Sequence, residues 1–184
     1  MPFKSGARVL GIDDSPFTEK DSRVLVVGVV ERQGKVDGVL STTVERDGDD
    51  STERISSMVR GSRFLPQIRA VLLNSIMVGG FNVVDIARLS GETGLPVIAV
   101  VRRKPDMARV LRALSRVRGA APKRERMEKA GEPVRLAGLY AQVAGIPRAG
   151  AEEILGRRKG VPEAVRLAHV IAGGVTRGES SGKA

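Results

Sequence analysis

Three short stretches and one histidine hold the residue types from which a hydrolytic site can be built. The first is Gly11-Ile12-Asp13-Asp14-Ser15-Pro16-Phe17, where two adjacent carboxylates follow the short apolar run Val9-Leu10. Paired carboxylates are expensive beside a core, but Mg²⁺ takes one or two of them and keeps waters and substrate phosphates as its other ligands. The same stretch also suits an Asx-type turn that ends a strand, with a carboxylate accepting backbone N–H groups. The second is Asp47-Gly48-Asp49-Asp50-Ser51-Thr52-Glu53. Here Asp50 or Ser51 reads as a helix N-cap and Glu53 as a first-turn acid that favours the helix dipole. That leaves Asp47 without a structural task. The third is Met77-Val78-Gly79-Gly80-Phe81-Asn82, whose amides could cradle a phosphate. Its two glycines, with no Lys after them, are a weak match to a phosphate loop. His169 is the only histidine, and a lone helical histidine is more often structural than ligating.

These residues need elements to position them. Residues 8–14, 23–30 and 36–45 read as strands, the second rich in valine and the third entered through a turn at Gln33-Gly34-Lys35. The spacing of Ile55, Met58 and Val59 predicts a helix over 51–63. Beyond it, strands at 68–73 and 96–101 alternate with helices at 81–89 and 106–117, which implies right-handed crossovers and parallel pairing. Residues 136–143 offer a further strand, and 151–155 and 163–172 read as helices. The charged stretch 120–133, with two prolines, is the best candidate for a mobile insertion, and 178–184 for a polar tail. The whole is read as one domain over 1–184. Three strands able to pair antiparallel, then αβαβα, is the order of a ribonuclease H-like fold, an α/β mixed sheet with helices on both faces. Sites in such sheets form at the carboxyl ends of strands. Asp13 and Asp14 end the first strand and Asn74 the fourth.

Charge separates along the chain. The formal net charge is +10, which points to polyanionic partners. Residues 11–53 carry five Lys/Arg against eleven Asp/Glu, whereas 102–135 carry twelve against four. Two surfaces with different tasks, or a solvated helix face and a charged loop, both fit that asymmetry. Aromatics make up 3% of residues, too few for an extended base-stacking platform. With no cysteine there is no disulfide, thiolate nucleophile or zinc–thiolate site. The N-terminal residues lack a signal-peptide core and no apolar run is long enough to cross a membrane, so a cytoplasmic protein is expected.

Taken together, GIDDSPF, NSIMVGGFNVVDIARL, GLPVIAVVRRKPD and PEAVRLAHVIAGGVTRGESSGKA resemble the uncharacterised, mainly archaeal endonuclease V-like proteins. The resemblance runs from Gly11 to Ala184. It implies a ribonuclease H-like fold related to endonuclease V, a Mg²⁺-dependent enzyme that cuts strands near deaminated adenine. Residue by residue, it places the enzyme's strand-ending Asp on Asp13. The Glu after its third strand falls on Asp47, the Asp after its fourth strand on Asn74, and its last-helix metal-side residue on His169. The basic residue after the fifth strand falls on Arg102.

Two departures stand out. Asn74 is neutral and cannot supply the charge a second Mg²⁺ needs. The aromatic wedge that pushes out the damaged base has no counterpart in Lys35-Val36-Asp37-Gly38-Val39-Leu40. The expectation is therefore a one-metal Mg²⁺ or Mn²⁺ site of Asp13, Asp47 and His169, with Asn74 as a weak fourth ligand or water holder. Arg102, Arg103, Lys104, Arg109, Arg112 and Arg116 would hold a nucleic-acid backbone. The alternative is a non-catalytic binding or interaction module that keeps the fold.

Overall fold

The computed structural model describes residues 6–156 and 160–182. Strands β1 (Arg8–Asp14), β2 (Arg23–Arg32) and β3 (Lys35–Glu45) form an antiparallel meander. The turn between the last two has positive φ at both Gln33 and Gly34, the two-residue geometry whose twist matches paired strands. Helix α1 (Ser51–Arg60) crosses to β4 (Ile68–Asn74), which pairs parallel with β1. A small hairpin follows, β5 (Met77–Val78) with β6 (Asn82–Val83), and then α2 (Ile86–Thr93). Strand β7 (Val97–Val101) pairs parallel with β4. After α3 (Met107–Leu114) and α4 (Ala120–Ala130) come β8 (Val134–Leu136) and β9 (Leu139–Ala144), the latter antiparallel to β7. Helices α5 (Arg148–Leu155) and α6 (Glu163–Arg177) complete the order. Among the described residues, one mixed sheet runs β3-β2-β1-β4-β7-β9-β8.

Helices cover both faces of this sheet. Leu10, Ile12, Val71 and Leu73 pack with Ile55, Val59, Ile86, Leu89, Leu114 and Met127 on one side. On the other, Val9, Ala70, Leu72 and Ile98 pack with Ala151, Leu155, Ala164 and Val165. Val27 and Val29 meet Ala168 and Ala172 on that same helix α6. Because β2 is covered on both faces, Val24, Val26, Val27, Val29 and Val30 are all buried. That explains a continuous valine run where a half-exposed strand would alternate.

Two expectations need correction. Residues 120–130 form helix α4, where a mobile insertion was expected. Met127 and Lys123, four residues apart, are both buried, and Pro122 falls in the first turn, where a missing N–H breaks no helical bond. The helix expected at 81–89 begins only at Ile86. Asn82 and Val83 are spent in the hairpin, and Asp85 Oδ1 caps the helix by accepting the Arg88 N–H at 2.9 Å. The polar stretch from 178 is exposed as far as it is described, Ser180 folding back to donate to the Val170 carbonyl. Residues 183–184 lie outside the described residues, as do the first five of the N-terminal stretch. No described helix is long and apolar enough to cross a membrane.

Candidate nuclease site

Gly11 decides where the last helix sits. A Cβ at this position would collide with the backbone of Ala164 and Val165, so only glycine lets the start of α6 lie flush on β1. From there, five helical residues rise about 7.5 Å and two strand residues advance about 6.7 Å. The two paths therefore bring His169 level with Asp13. The result is a hydrogen bond of 2.9 Å between His169 Nδ1 and Asp13 Oδ2. Strand β4, parallel to β1, ends at Asn74, whose Nδ2 donates to the same Oδ2 at 3.1 Å. Three of the expected site residues, Asp13, Asn74 and His169, are thus in direct contact at the carboxyl ends of β1 and β4.

Asp13 is only 4% exposed. Burial, and next the Asp14 carboxylate, push its pKa up to about 7, against hydrogen bonds from Asn74, the Asp14 N–H and His169. Asp14 is also raised, chiefly by burial, although the Gly79 N–H donates to its Oδ2 at 2.8 Å. Burial thus drives both neighbouring carboxylates toward neutrality.

Asp47 stands apart from the trio, making no hydrogen bond to any of its members. It is tied instead to the glycine loop: its N–H donates to the Gly79 carbonyl at 2.9 Å and its Oδ1 accepts the Phe81 N–H at 2.8 Å. Asp14 is bonded to Gly79 and Asp47 to both Gly79 and Phe81, so this loop bridges the two carboxylates. Gly80 (φ +86°) is required between them, since a Cβ there would strike Asp47 Oδ1. Among the described residues, no three His, Asp or Glu side chains form a ready-made metal cluster. Asp13, Asp14 and Asp47 offer carboxylate oxygens, and Mg²⁺ or Mn²⁺ needs only one or two of these beside retained waters.

The loop 45–51 carrying Asp47 is held from two sides. Asn82, fully buried, accepts from the Ser51 N–H and donates to Glu45 O and Asp50 Oδ1. Lys123 of α4, also fully buried, donates to the Gly48 carbonyl at 2.6 Å and pairs with Asp49 Oδ1 at 3.1 Å. Asp50, expected as a side-chain cap, makes no cap hydrogen bond and serves this loop instead. Sequence reasoning assigned no role to Asn82 or Lys123. It also passed over Phe17, which is 37% exposed and lies 3.6 Å from the place a Gly80 Cβ would take. The signal for Phe17 lay inside GIDDSPF, as an apolar ring in a polar turn.

The run of basic residues begins just beyond this end of the sheet. Arg102 lies two residues beyond Val100, the register partner of Asn74. Arg102, Arg103, Lys104, Arg109, Arg112 and Arg116 are all exposed and form no ion pair among the described residues. On α3, Arg109 and Arg112 are three positions apart and share one face, and Arg116 lies just beyond the helix in the turn toward α4.

Comparison with known proteins shows the family and the fold. An UPF0215 protein of Methanothermobacter thermautotrophicus is 52% identical over 191 residues, covering 99% of this chain and 94% of that protein. The crystal structure of a protein of unknown function from Archaeoglobus fulgidus matches with a TM-score of 0.85 at 42% identity, over 90% of this chain and 96% of that one. Endonuclease V of Ciona intestinalis, in complex with a 23mer DNA containing an inosine followed by a ribo-adenosine, shares the fold. Its TM-score is 0.56 at 13% identity, over 89% of this chain and 82% of that one. The catalytic domain of human Endonuclease V does so at 0.52 and 18%, over 89% and 79%. The family described as endonuclease dU matches residues 5–176, and the chain belongs to that family.

Proposed function

We propose that the chain is a divalent-metal-dependent nuclease that hydrolyses a DNA phosphodiester near a deaminated base. Uracil, carried as deoxyuridine, is the base to which the family's description points. The observation that carries the reading is Asp13: a buried carboxylate beside Asp14, held by Asn74 and His169 at the strand ends. Asp13, Asp14 and Asp47 would hold Mg²⁺ or Mn²⁺ through oxygen. When bound, the ion polarises the phosphate and lowers the pKa of a water. His169 keeps its Nδ1 on Asp13, which orients the ring and leaves Nε2 as the nitrogen that exchanges a proton with solvent or substrate. Arg102 and the α3 arginines neutralise the strand's backbone. Phe17, exposed beside the glycine loop, supplies the stacking surface that the β2–β3 hairpin lacks.

The direct test is cleavage of single-stranded and duplex DNA carrying one deoxyuridine or one inosine, in Mg²⁺ and in Mn²⁺. Cutting at the deaminated position that disappears in Asp13→Ala supports the reading. Neutralising about four phosphates of a single strand gives log K a slope near −3 against log salt. A second reading, a binding module that no longer hydrolyses, is favoured by the Asn74 amide, which donates to Asp13 where the resemblance expects another acid. Salt-dependent binding with no cleavage in either metal would support it.

A further inference from the structure

A cleft of about 750 Å³ opens between the turn 45–49 and the α3–α4 junction at 116–119. Its two walls are of opposite character. One carries Asp47 and Asp49, the other Arg116 and Arg118, with Lys123 between them. The acidic wall also carries Glu45, exposed and without an ion pair among the described residues, whereas its two aspartates are engaged. Burial works to raise Asp49, but Arg126 at 2.7 Å and Lys123 at 3.1 Å outweigh it and hold its carboxyl below the usual value. Asp47 Oδ1 is engaged by the Phe81 N–H. The basic wall is not spoken for. Arg116 and Arg118 are exposed and without an ion pair among the described residues. Arg46, also lining the cleft, has a buried Nε with no hydrogen-bond partner. Exposed guanidinium groups without an ion pair, lining a space this size, suit an anion with several acceptor oxygens. With no aromatic residue in the lining, the cleft does not suit a stacked base.

We propose that this cleft is a phosphate subsite. It takes a backbone phosphodiester of the bound strand, next to the one at Asp13, on Arg116, Arg118 and Arg46. The inference rests on the nucleic-acid reading above and deepens it. Asp47 belongs to both places, through the glycine loop toward Asp13 and Asp14 and through its turn to the cleft. A strand leaving the candidate metal site along Asp47 therefore meets the arginines next. Lys123 fixes the distance between the walls, because its Nζ ties α4 to the Gly48 carbonyl.

The probe is a fluorescent single-stranded DNA of about a dozen nucleotides with one central deoxyuridine, titrated without added divalent ions. Charge reversal in Arg116→Glu/Arg118→Glu should weaken binding about ten-fold at low salt and flatten the salt slope by about one to two units. Thermal stability should be unchanged, since both side chains are exposed. Placing one neutral methylphosphonate at successive positions should reveal a single off-centre position that weakens wild-type binding about five-fold. That position should have no effect in the double variant. Wild-type binding that the double variant reproduces in strength and slope would overturn the subsite while leaving the nuclease reading intact. Failure of the wild type to bind any oligonucleotide would overturn both.

Discussion

His169 Nδ1 and Asp13 Oδ2 are 2.9 Å apart although 156 positions separate them in the chain. The same oxygen also accepts the Asn74 amide, so Asp13 is the point on which the candidate site converges. Its protonation governs how the site responds to pH and to metal.

Burial, then the Asp14 carboxylate, raise Asp13 from 3.8 to about 7 in the folded chain. Between those values the unfolded chain has released this proton and the folded chain still holds it. Stability of the metal-free protein therefore falls as pH rises through that window, by about 1.4 kcal/mol per unit at most. Tm measured from about pH 4.5 to 7.5 should decline, and Asp13→Asn should flatten the curve. Mg²⁺ or Mn²⁺ competes with the proton, so its stabilising effect should be larger at the upper end. A metal-free Tm that climbs across the same range contradicts this placement of Asp13.

Asn74→Asp exchanges an amide donor for a third carboxylate. In metal-free protein it should lower Tm, because the carboxylate both repels Asp13 and loses the hydrogen bond. In Mn²⁺ it should tighten binding by about ten-fold or more, since an added ligand charge counts heavily in a partly dry site. Calorimetric titration with Mn²⁺ reads this independently of cleavage. Unchanged affinity in a folded variant would mean that these oxygens do not share a cation.

Phe17→Ala removes an exposed ring and should leave Tm within error. Affinity for the deoxyuridine strand should drop about five- to 150-fold, the range for one lost base–aromatic stack. Affinity for the same strand with an abasic site should not change. Equal losses on both strands would assign the ring to general contact, not to the base.

Gly11→Ala forces α6 away from β1 and should destabilise by about 1–3 kcal/mol. Even at a temperature where the variant stays folded, the His169 ring should no longer sense Asp13. An imidazole NMR titration identical to wild type would show that the close approach at Gly11 does not set the site.

How far the sequence discloses this structure differs from element to element. The valine run of β2 and the alternation after α1 are dense local patterns, and they carried the sheet and its helical cover. The contact of Asp13, Asn74 and His169 followed from strand-end placement together with the family resemblance. Helix α4 was hidden because six of its eleven residues are charged and one of those charges, Lys123, is buried against a carbonyl 75 positions away. No local pattern reports such a partner. Phe17 and Asn82 were hidden for a related reason. Their roles come from the loop 79–81 and the turn 45–51 meeting in space, and each segment alone reads as an ordinary connection.

The flush seat of α6 on β1 also bears on the order of folding. The meander and β4 can pair through contacts at most some tens of residues apart, whereas α6 must close a loop spanning nearly the whole chain. Non-local closure of that kind is slow. Until it happens, Val27 and Val29 stand uncovered and Asp13 lacks its histidine. The site is therefore among the last features to form, and refolding should recover secondary structure before it recovers the imidazole–carboxylate pair.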